Sequence, residues 1–466
     1  NNGGDGFCMA RILRGWGYPV KIVFVGSQEK LKDDALLNFK LAENHHIEII
    51  KITDTNDFQN LENELLNSDW IIDALFGTGL AGEVRGVAAD LMEFVSGFGL
   101  KCLAVDIPSG VNSNNGKVSG NVIPADITVT FGLPKKGHFI YPGAQYVGEL
   151  FVADIGFSPE IIVNENIKTE LVKDSTVACL IPPRPANSHK GTTGKVAVVG
   201  GSRNTLGAAV MAGKSSLKSS AGYVRLYIPA SMEIPAKTLA PELVTIGLED
   251  ENGYFVKDSF EEFRNQLQDS TAVVLGPGIG TKPGTVEFVK KIIETIDLPM
   301  IIDADGLNIL ARFDLENAQR NWVLTPHPGE AARLLNVDVQ KIINDPLNTL
   351  NQLVRKYNCT VLLKGATTLI GEPGGNTRID ISGNPVLSVM GTGDVLSGIT
   401  GSLLARGVEP FAAAWGGSYI HGITGDMAAE QWVGEGLLPT ELIDFIPFAM
   451  EKIRCGENED RITYIR

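Results

Sequence analysis

Asn384-Pro385-Val386-Leu387-Ser388-Val389-Met390-Gly391-Thr392-Gly393-Asp394 runs directly into Val395-Leu396-Ser397-Gly398-Ile399-Thr400-Gly401-Ser402-Leu403-Leu404-Ala405-Arg406-Gly407. Val395, Leu396, Ile399, Leu403 and Leu404 fall on one face at helical spacing. Arg406 occupies the last turn and Gly407 is a natural C-terminal stop. Gly391 to Asp394 therefore forms the glycine-rich start of a helix. Unpaired backbone N–H groups at such a start make an anion site, and glycine admits a phosphate without a Cβ clash. Asp394 suits a helix N-terminus as a cap. Beside phosphates its second role is to take a proton from an attacking hydroxyl.

Working outward, four earlier segments read as buried strands ending in polar, glycine-rich loops. Ala272 to Leu275 ends in Gly276-Pro277-Gly278-Ile279-Gly280, and Met300 to Ile302 ends in Asp303-Ala304-Asp305. Val323 to Thr325 ends in Pro326-His327-Pro328-Gly329-Glu330, and Thr360 to Lys364 ends in Gly365-Ala366-Thr367-Thr368. One such loop is usually structural. Four, with the Gly391 start, predict a ligand cleft along one edge of a parallel sheet. His327 and Glu330 read equally well as cap and first-turn residues, and His421 as a helix-packing residue. Lys364 at a strand end fits a phosphate contact or a snorkelling side chain. Gly207 to Ser215 nearly imitates a P-loop, but Ala208 stands where glycine is required and the match falls within a helix pattern.

Residues 158–190 mix polar residues with Pro182, Pro183 and Pro185 and read as a linker, with two domains expected at 1–170 and 171–466. In the first half, strands at 20–25, 47–52, 70–76 and 101–105 alternate with helices at 33–44 and 57–67. This predicts an α/β fold with a parallel sheet covered on both faces. Polar clusters sit at its strand ends, namely Asn1 to Asp5, Asp73 to Glu83, and Asp106 with Ser109. Gly77 to Gly82 is a literal G-x-G-x-x-G, but it comes too late in the chain for a dinucleotide fingerprint. A glycine loop at Asn1 to Gly6 with a helix from Phe7 to Leu13 normally follows a strand, so the sequence reads as truncated at its N-terminus.

The 466 residues predict two domains. A net charge of −15 argues against nucleic-acid or anionic-membrane partners. Five scattered cysteines without a C-x-x-C pair suit a reducing, cytoplasmic setting. There is no apolar run of spanning length, and the histidines show no zinc spacing.

Asn1-Asn2-Gly3-Gly4-Asp5-Gly6, Asp73-Ala74-Leu75-Phe76-Gly77-Thr78-Gly79, Val105 to Gly110 and Thr130 to Lys135 together resemble the NAD(P)H-hydrate epimerase domain. That domain has a Rossmann-like α/β/α fold and interconverts the R and S forms of hydrated NAD(P)H (NAD(P)HX). The resemblance implies that Asn1, Asn2, Gly3, Gly4, Asp5, Gly77, Thr78, Gly79, Leu80, Ala81, Gly82, Glu83 and Asp106 hold the substrate. It further implies that Asn2, Asp73 and Ser109 ligate potassium, with Asp106 the acid/base. Family members often carry Lys or Arg where this chain has Ala81.

The second half resembles the ADP/ATP-dependent NAD(P)HX dehydratase of the ribokinase-like superfamily. The resemblance rests on His189-Lys190-Gly191, Gly276 to Gly278, Asp303 to Asp305, Thr325 to Glu330, Lys364 to Thr368 and Asn384 to Asp394. It implies a nucleotide site at Lys364-Gly365-Ala366-Thr367-Thr368 and Asn384 to Gly393. Gly278, His327 and Asp394 would contact hydrated substrate, with Asp394 catalytic. ADP or ATP is then the co-substrate, magnesium bridges its phosphates, and a homo-oligomer is expected. The alternative is a vitamin- or sugar-alcohol kinase of the same superfamily with a non-catalytic N-terminal binding domain.

Overall fold

The computed structural model describes residues 2–80, 82–189, 191, 193–267, 269–313, 320–431, 436–458 and 461–465. It divides into two compact units, Asn1–Asn166 with Asp460–Arg466, and Ile167–Glu459. The strand Thr169–Leu171, which straddles the expected boundary at 170/171, pairs in parallel with Thr377–Asp380 of the second unit. The last strand, Thr463–Ile465, instead joins Glu149–Ala153 in the first unit. Residues 158–189 also carry more regular structure than a linker. Ser158 caps the helix Pro159–Asn164, and the short helix Asp174–Ala178 buries Val177. Among described residues, no helix is long and apolar enough to cross a membrane.

In the first unit five strands lie in the order Thr463–Ile465, Glu149–Ala153, Ile127–Phe131, Lys101–Val105 and Trp70–Asp73, all parallel. Lys21–Val25 and Glu48–Ile52 form a separate parallel pair. The N-terminal glycines are not a loop. Asn2–Gly15 is one helix, anchored by Phe7 against Phe24 and Phe39, with centroid separations of 6.0 and 5.2 Å. A Cβ on Gly4 would lie 3.3 Å from the Ala35 Cα, and one on Gly6 would lie 2.6 Å from the Ala74 Cβ. These glycines thus serve close packing rather than chain reversal.

The second unit is built on a ten-stranded sheet. Its centre runs Lys195–Val199, Ala272–Leu275, Met300–Ile302, Trp322–Leu324 and Thr360–Leu363, all parallel, and nearly every residue is buried. Strands this continuously apolar, interrupted only by Lys195 and Thr360 at strand starts, fit a sheet covered on both faces. Thr368–Gly371 and Thr377–Asp380 then continue it antiparallel. This hairpin follows from the Pro373-Gly374-Gly375 turn, with Gly375 at φ +83°.

The helix Thr392–Ala405 crosses the sheet against Leu206–Lys218. A Cβ on Gly398 would fall 1.9 Å from Ser215 Oγ, and one on Gly401 2.4 Å from a Val274 methyl. Glycines inside this helix let it lie against both neighbours. The Gly213-Lys214-Ser215 segment is accordingly interior helix, with Lys214 3.7 Å from Glu242.

Candidate active sites

In the second unit the parallel strands deliver Asp303, His327 with Glu330, and Lys364 from three neighbouring strand ends, and the Thr392–Ala405 helix brings Asp394. Asp303 is the hub. Its carboxylate accepts from Lys364 Nζ at 2.9 Å and from Ser397 Oγ at 2.7 Å. Lys364 also lies 3.8 Å from Glu330. A Cβ on Gly393 would sit 3.5 Å from Lys364 Nζ, so the glycine start of the helix faces the same ammonium. Gly391 is the helix N-cap at φ +105°. Asp394 N–H bonds Gly391 O at 3.1 Å, and Thr392 Oγ1 is spent on Leu387 O and Val389 O. The Gly391 and Gly393 N–H groups have no backbone acceptor among the described residues. The collar is therefore narrower than the sequence suggested.

Burial first, then the Asp303 and Glu330 charges, push the Asp394 carboxyl up to about 7, against the pull of Lys364. Burial likewise pushes Glu330 up to about 7. Asp303, although buried, is held below the ordinary range by Lys364 and Ser397. Lys364 is raised by Asp303 and Glu330 despite its own desolvation. Three carboxylates at one site are thus split, Asp303 fixed as an anion and Asp394 and Glu330 poised to exchange a proton near neutrality. Asp394 is half-buried rather than packed away. Ala304, between Asp303 and Asp305, is held at φ +50°, a strained conformation for a residue with a side chain.

His327 is a cap. Its Nδ1 accepts from Gly329 N at 3.0 Å and Glu330 N at 3.4 Å, while Glu330 accepts from His327 N at 2.9 Å. With Nδ1 accepting, Nε2 carries the proton, and it lies 3.5 Å from Glu330 Oε1. Desolvation keeps the ring below its ordinary pKa and hence neutral. Gly278, at φ +63°, would drive a Cβ to 2.3 Å from Thr205 O, and its own carbonyl accepts from Ser202 and Thr205. Gly365, Ala366 and Thr367 form the turn before the strand Thr368–Gly371. In the 384–390 segment, Asn384 caps the short turn Pro385–Leu387 and donates to Asp426 at 2.9 Å. Val386 is buried, whereas Met390 is 96% exposed. Burial drops His421 to about 4, and its ring packs in the helix Pro410–Gln431. Asp303 belonged to a quoted motif but was not singled out as a site residue. Ser397, inside an apolar helix face, carried no signal.

In the first unit Asp106 ends the strand Lys101–Val105 at φ +68°. Its carboxylate accepts from Lys135 Nζ at 2.5 Å and from Thr130 Oγ1 at 2.8 Å, and its carbonyl contacts His138 Nε2 at 2.8 Å. Burial holds His138 down at about 4, so it is neutral. The sequence left Lys135 and His138 as solvated or phosphate-binding; in the fold they brace Asp106. Asp5 is raised by burial, and the Asp106 charge adds to this. Asn1 and Ala81 lie outside the described residues. Around them, Thr78 O accepts from Ser113 and Leu80 O from Asn112, and Glu83 pairs with Arg85 at 3.1 Å.

Asp73, buried, accepts from Ser109 Oγ at 2.6 Å and from Ser109 N at 2.7 Å. Ser109 Oγ accepts from Phe76 N at 2.8 Å, and Asn2 Nδ2 donates to Phe76 O and Val105 O at 2.7 and 2.9 Å. A Cβ on Gly77 would meet the Asn2 carboxamide at 3.0 Å. The structure thus gathers Asn2, Asp73 and Ser109, with the Phe76 and Val105 carbonyls both accepting from the Asn2 amide nitrogen. The carboxylate and hydroxyl oxygens of Asp73 and Ser109 are donors that suit a hard cation. Among described residues no group of three His, Cys, Asp or Glu is disposed to hold a metal.

Known proteins bear on both units. The family described as NAD(P)H-hydrate dehydratase matches residues 196–448. The family described as YjeF-related protein N-terminus matches residues 1–137. The bifunctional NAD(P)H-hydrate repair enzyme Nnr of Moorella thermoacetica is 35% identical over 456 residues, 97% of this chain and 86% of that protein. Its namesake in Thermofilum pendens is 36% identical, with the same coverage. Among solved structures, the ADP/ATP-dependent NAD(P)H-hydrate dehydratase of Bacillus subtilis, co-crystallised with ATP/Mg2+, is similar with a TM-score of 0.54 and 26% identity. That likeness spans 61% of this chain and 98% of that one. A ribokinase-like protein of Enterococcus faecalis shares the fold at a TM-score of 0.54 and 24% identity. On sequence matches that span both units, this chain belongs to the family of bifunctional NAD(P)H-hydrate repair enzymes.

Proposed function

We infer that the chain repairs hydrated nicotinamide dinucleotides, its first unit epimerising R- and S-NAD(P)HX and its second dehydrating the S form at the expense of ADP. The observation that carries this reading is Asp394, half-buried with its pKa near neutrality, beside the Lys364–Asp303 pair at a glycine-lined helix start. The ring hydroxyl is a poor leaving group. Asp394 takes its proton as the hydroxyl oxygen attacks the terminal phosphoryl of the nucleotide, and the bond to the AMP oxygen breaks. The Gly393 N–H and Lys364 face the charge that develops on the transferring oxygens. Phosphate then departs with the C–O electron pair, the neighbouring carbon loses a proton, and NAD(P)H is restored. Magnesium, arriving with the nucleotide, would neutralise phosphate charge.

In the first unit Asn2, Asp73 and Ser109 would hold potassium, whose charge anchors the substrate's polar groups. Asp106, braced by Lys135 and Thr130, moves the proton that opens and re-closes the hydrated carbon. Asn384 to Gly393 and Lys364 to Thr368 would contact the nucleotide. Gly278 and the His327 Nε2–H would face hydrated substrate.

The deciding experiment incubates the protein with ADP, magnesium and hydrated NADH. Return of reduced-nicotinamide absorbance with release of AMP and phosphate is expected. Phosphate transfer to a vitamin alcohol, with no such return, would favour the kinase alternative.

Two further outcomes follow. Dehydration needs the Asp394 anion, and its pKa is raised, so the rate should climb as pH rises through about 7 and fall off below it. A limb near 4 in the pH profile would contradict the desolvation argument. Replacing potassium by lithium should slow epimerisation and leave dehydration unchanged, measured by resolving the two epimers over time. Equal epimerisation rates in both salts would remove potassium from the site.

A further inference from the structure

At the opposite end of the Thr392–Ala405 helix from Asp394, a cavity of about 440 Å³ opens between the 182–189 loop and Arg406. Most of this 14-residue helix separates the two places, roughly 18 Å at the standard rise. The wall is stiffened by Pro182, Pro183 and Pro185, whose fixed φ pre-forms the loop.

Two donors lining this cavity are buried without an acceptor among the described residues. Thr193 is 8% exposed and its Oγ1 has no hydrogen-bond partner. Arg406 Nη1 is likewise buried and unpartnered. Burial, then the Arg454 and Arg184 cations, pull the Arg406 guanidinium below its ordinary pKa. Arg184 is tied to Ser220 O at 2.8 Å, and Arg454 to Ile181 O at 2.6 Å and Glu451 at 2.7 Å. Among described residues no Asp or Glu lines the cavity. Attraction of a cation to a helix C-terminus does not account for this arrangement. The last helical carbonyl, Ala405 O, already accepts from Thr271 Oγ1 at 2.8 Å, and Arg406 Nη1 reaches no carbonyl. Orphaned donors and mutually repelling guanidiniums are what a site looks like without its anion.

We propose that this cavity binds a phosphoryl-bearing anion through Arg406, Arg184 and Thr193, separately from the catalytic site. A phosphoryl group offers acceptor oxygens in several directions, matching donors that converge from a loop and a helix end. The volume leaves room for an organic portion, so the source is either free phosphate or a small phosphorylated molecule. Ser188, also on the wall, would contact that portion.

Calorimetric titration of the full chain with inorganic phosphate, and separately with glycerol phosphate, tests this. Wild type should bind one equivalent more per chain than Arg406→Gln, or bind at least about tenfold more tightly. Arg184→Gln should weaken binding in the same direction. Tighter binding of inorganic phosphate assigns the site to the free ion, and tighter binding of glycerol phosphate to a phosphorylated molecule. Without phosphate, Arg406→Gln should melt no lower than wild type, because a repelled buried charge has been removed, and dehydration should be unchanged. Arg184→Gln and Thr193→Val, which keep the Arg406 guanidinium in place, repeat the binding test independently of the stability of Arg406→Gln. Identical isotherms for wild type and variants, or no binding by wild type, would overturn the proposal. A lower melting point for ligand-free Arg406→Gln would also count against it, since the guanidinium would then be a packing element.

Discussion

Asp394→Asn is expected to lower the turnover of dehydration by about 10²- to 10⁴-fold, the range for loss of a positioned general base, while leaving epimerisation intact. The amide keeps the shape and the helix start but cannot take the hydroxyl proton. Nucleotide affinity should change little, because the Gly393 N–H and Lys364 proposed to face the phosphates are untouched. If anything it should rise, since a carboxylate near bound phosphates has been neutralised. Asp303 should stay ionised, as Lys364 and Ser397 still hold it. The measurements are the rate at which reduced-nicotinamide absorbance returns with ADP saturating, and the ADP dissociation constant. A variant with near-normal turnover would be fatal to the base assignment. One with normal turnover per bound nucleotide but weak ADP binding would make Asp394 a binding residue instead.

Asp106→Asn should do the reverse, abolishing interconversion of the R and S forms by a comparable factor while sparing dehydration of the S form. Asp106 is held at φ +68° at a strand end, with its carboxylate locked by Lys135 and Thr130. Backbone strain of this sort persists only where the surroundings fix it. Asparagine tolerates the left-handed conformation well, so the fold should survive and the loss should be chemical. Removing the carboxylate also leaves the Lys135 ammonium without its counter-ion, held by Thr130 Oγ1 and Phe131 O at 2.8 and 3.2 Å. Lys135→Met should therefore slow epimerisation too, by leaving Asp106 unbraced. Epimer ratios followed by chromatography from pure R substrate provide the readout. Interconversion by Asp106→Asn at the wild-type rate would return the proton transfer to another group.

Much of the fold was legible because it is written in local pattern. The strands at 272–275, 300–302, 323–325 and 360–364 read as buried parallel strands, and the structure lays them side by side in chain order. Side-chain period and glycine punctuation are properties of the chain itself. What misled were glycines with a tertiary purpose. Gly3 to Gly6 read as a loop, yet Gly4 and Gly6 sit in a helix because Ala35 and Ala74 press against them. The 158–190 segment read as a linker because its polar surface hides the burial of Val177.

The sequence by itself determined the two α/β halves, the glycine start before Asp394 and the polar strand ends, because each is a matter of spacing along one chain. Only the tertiary structure decided that Asp303 anchors Lys364, that Lys135 braces Asp106, that His327 Nδ1 is spent on capping, and that Arg406 Nη1 finds no partner among the described residues. Those outcomes depend on which groups, far apart in the chain, share a desolvated volume where one charge must answer another.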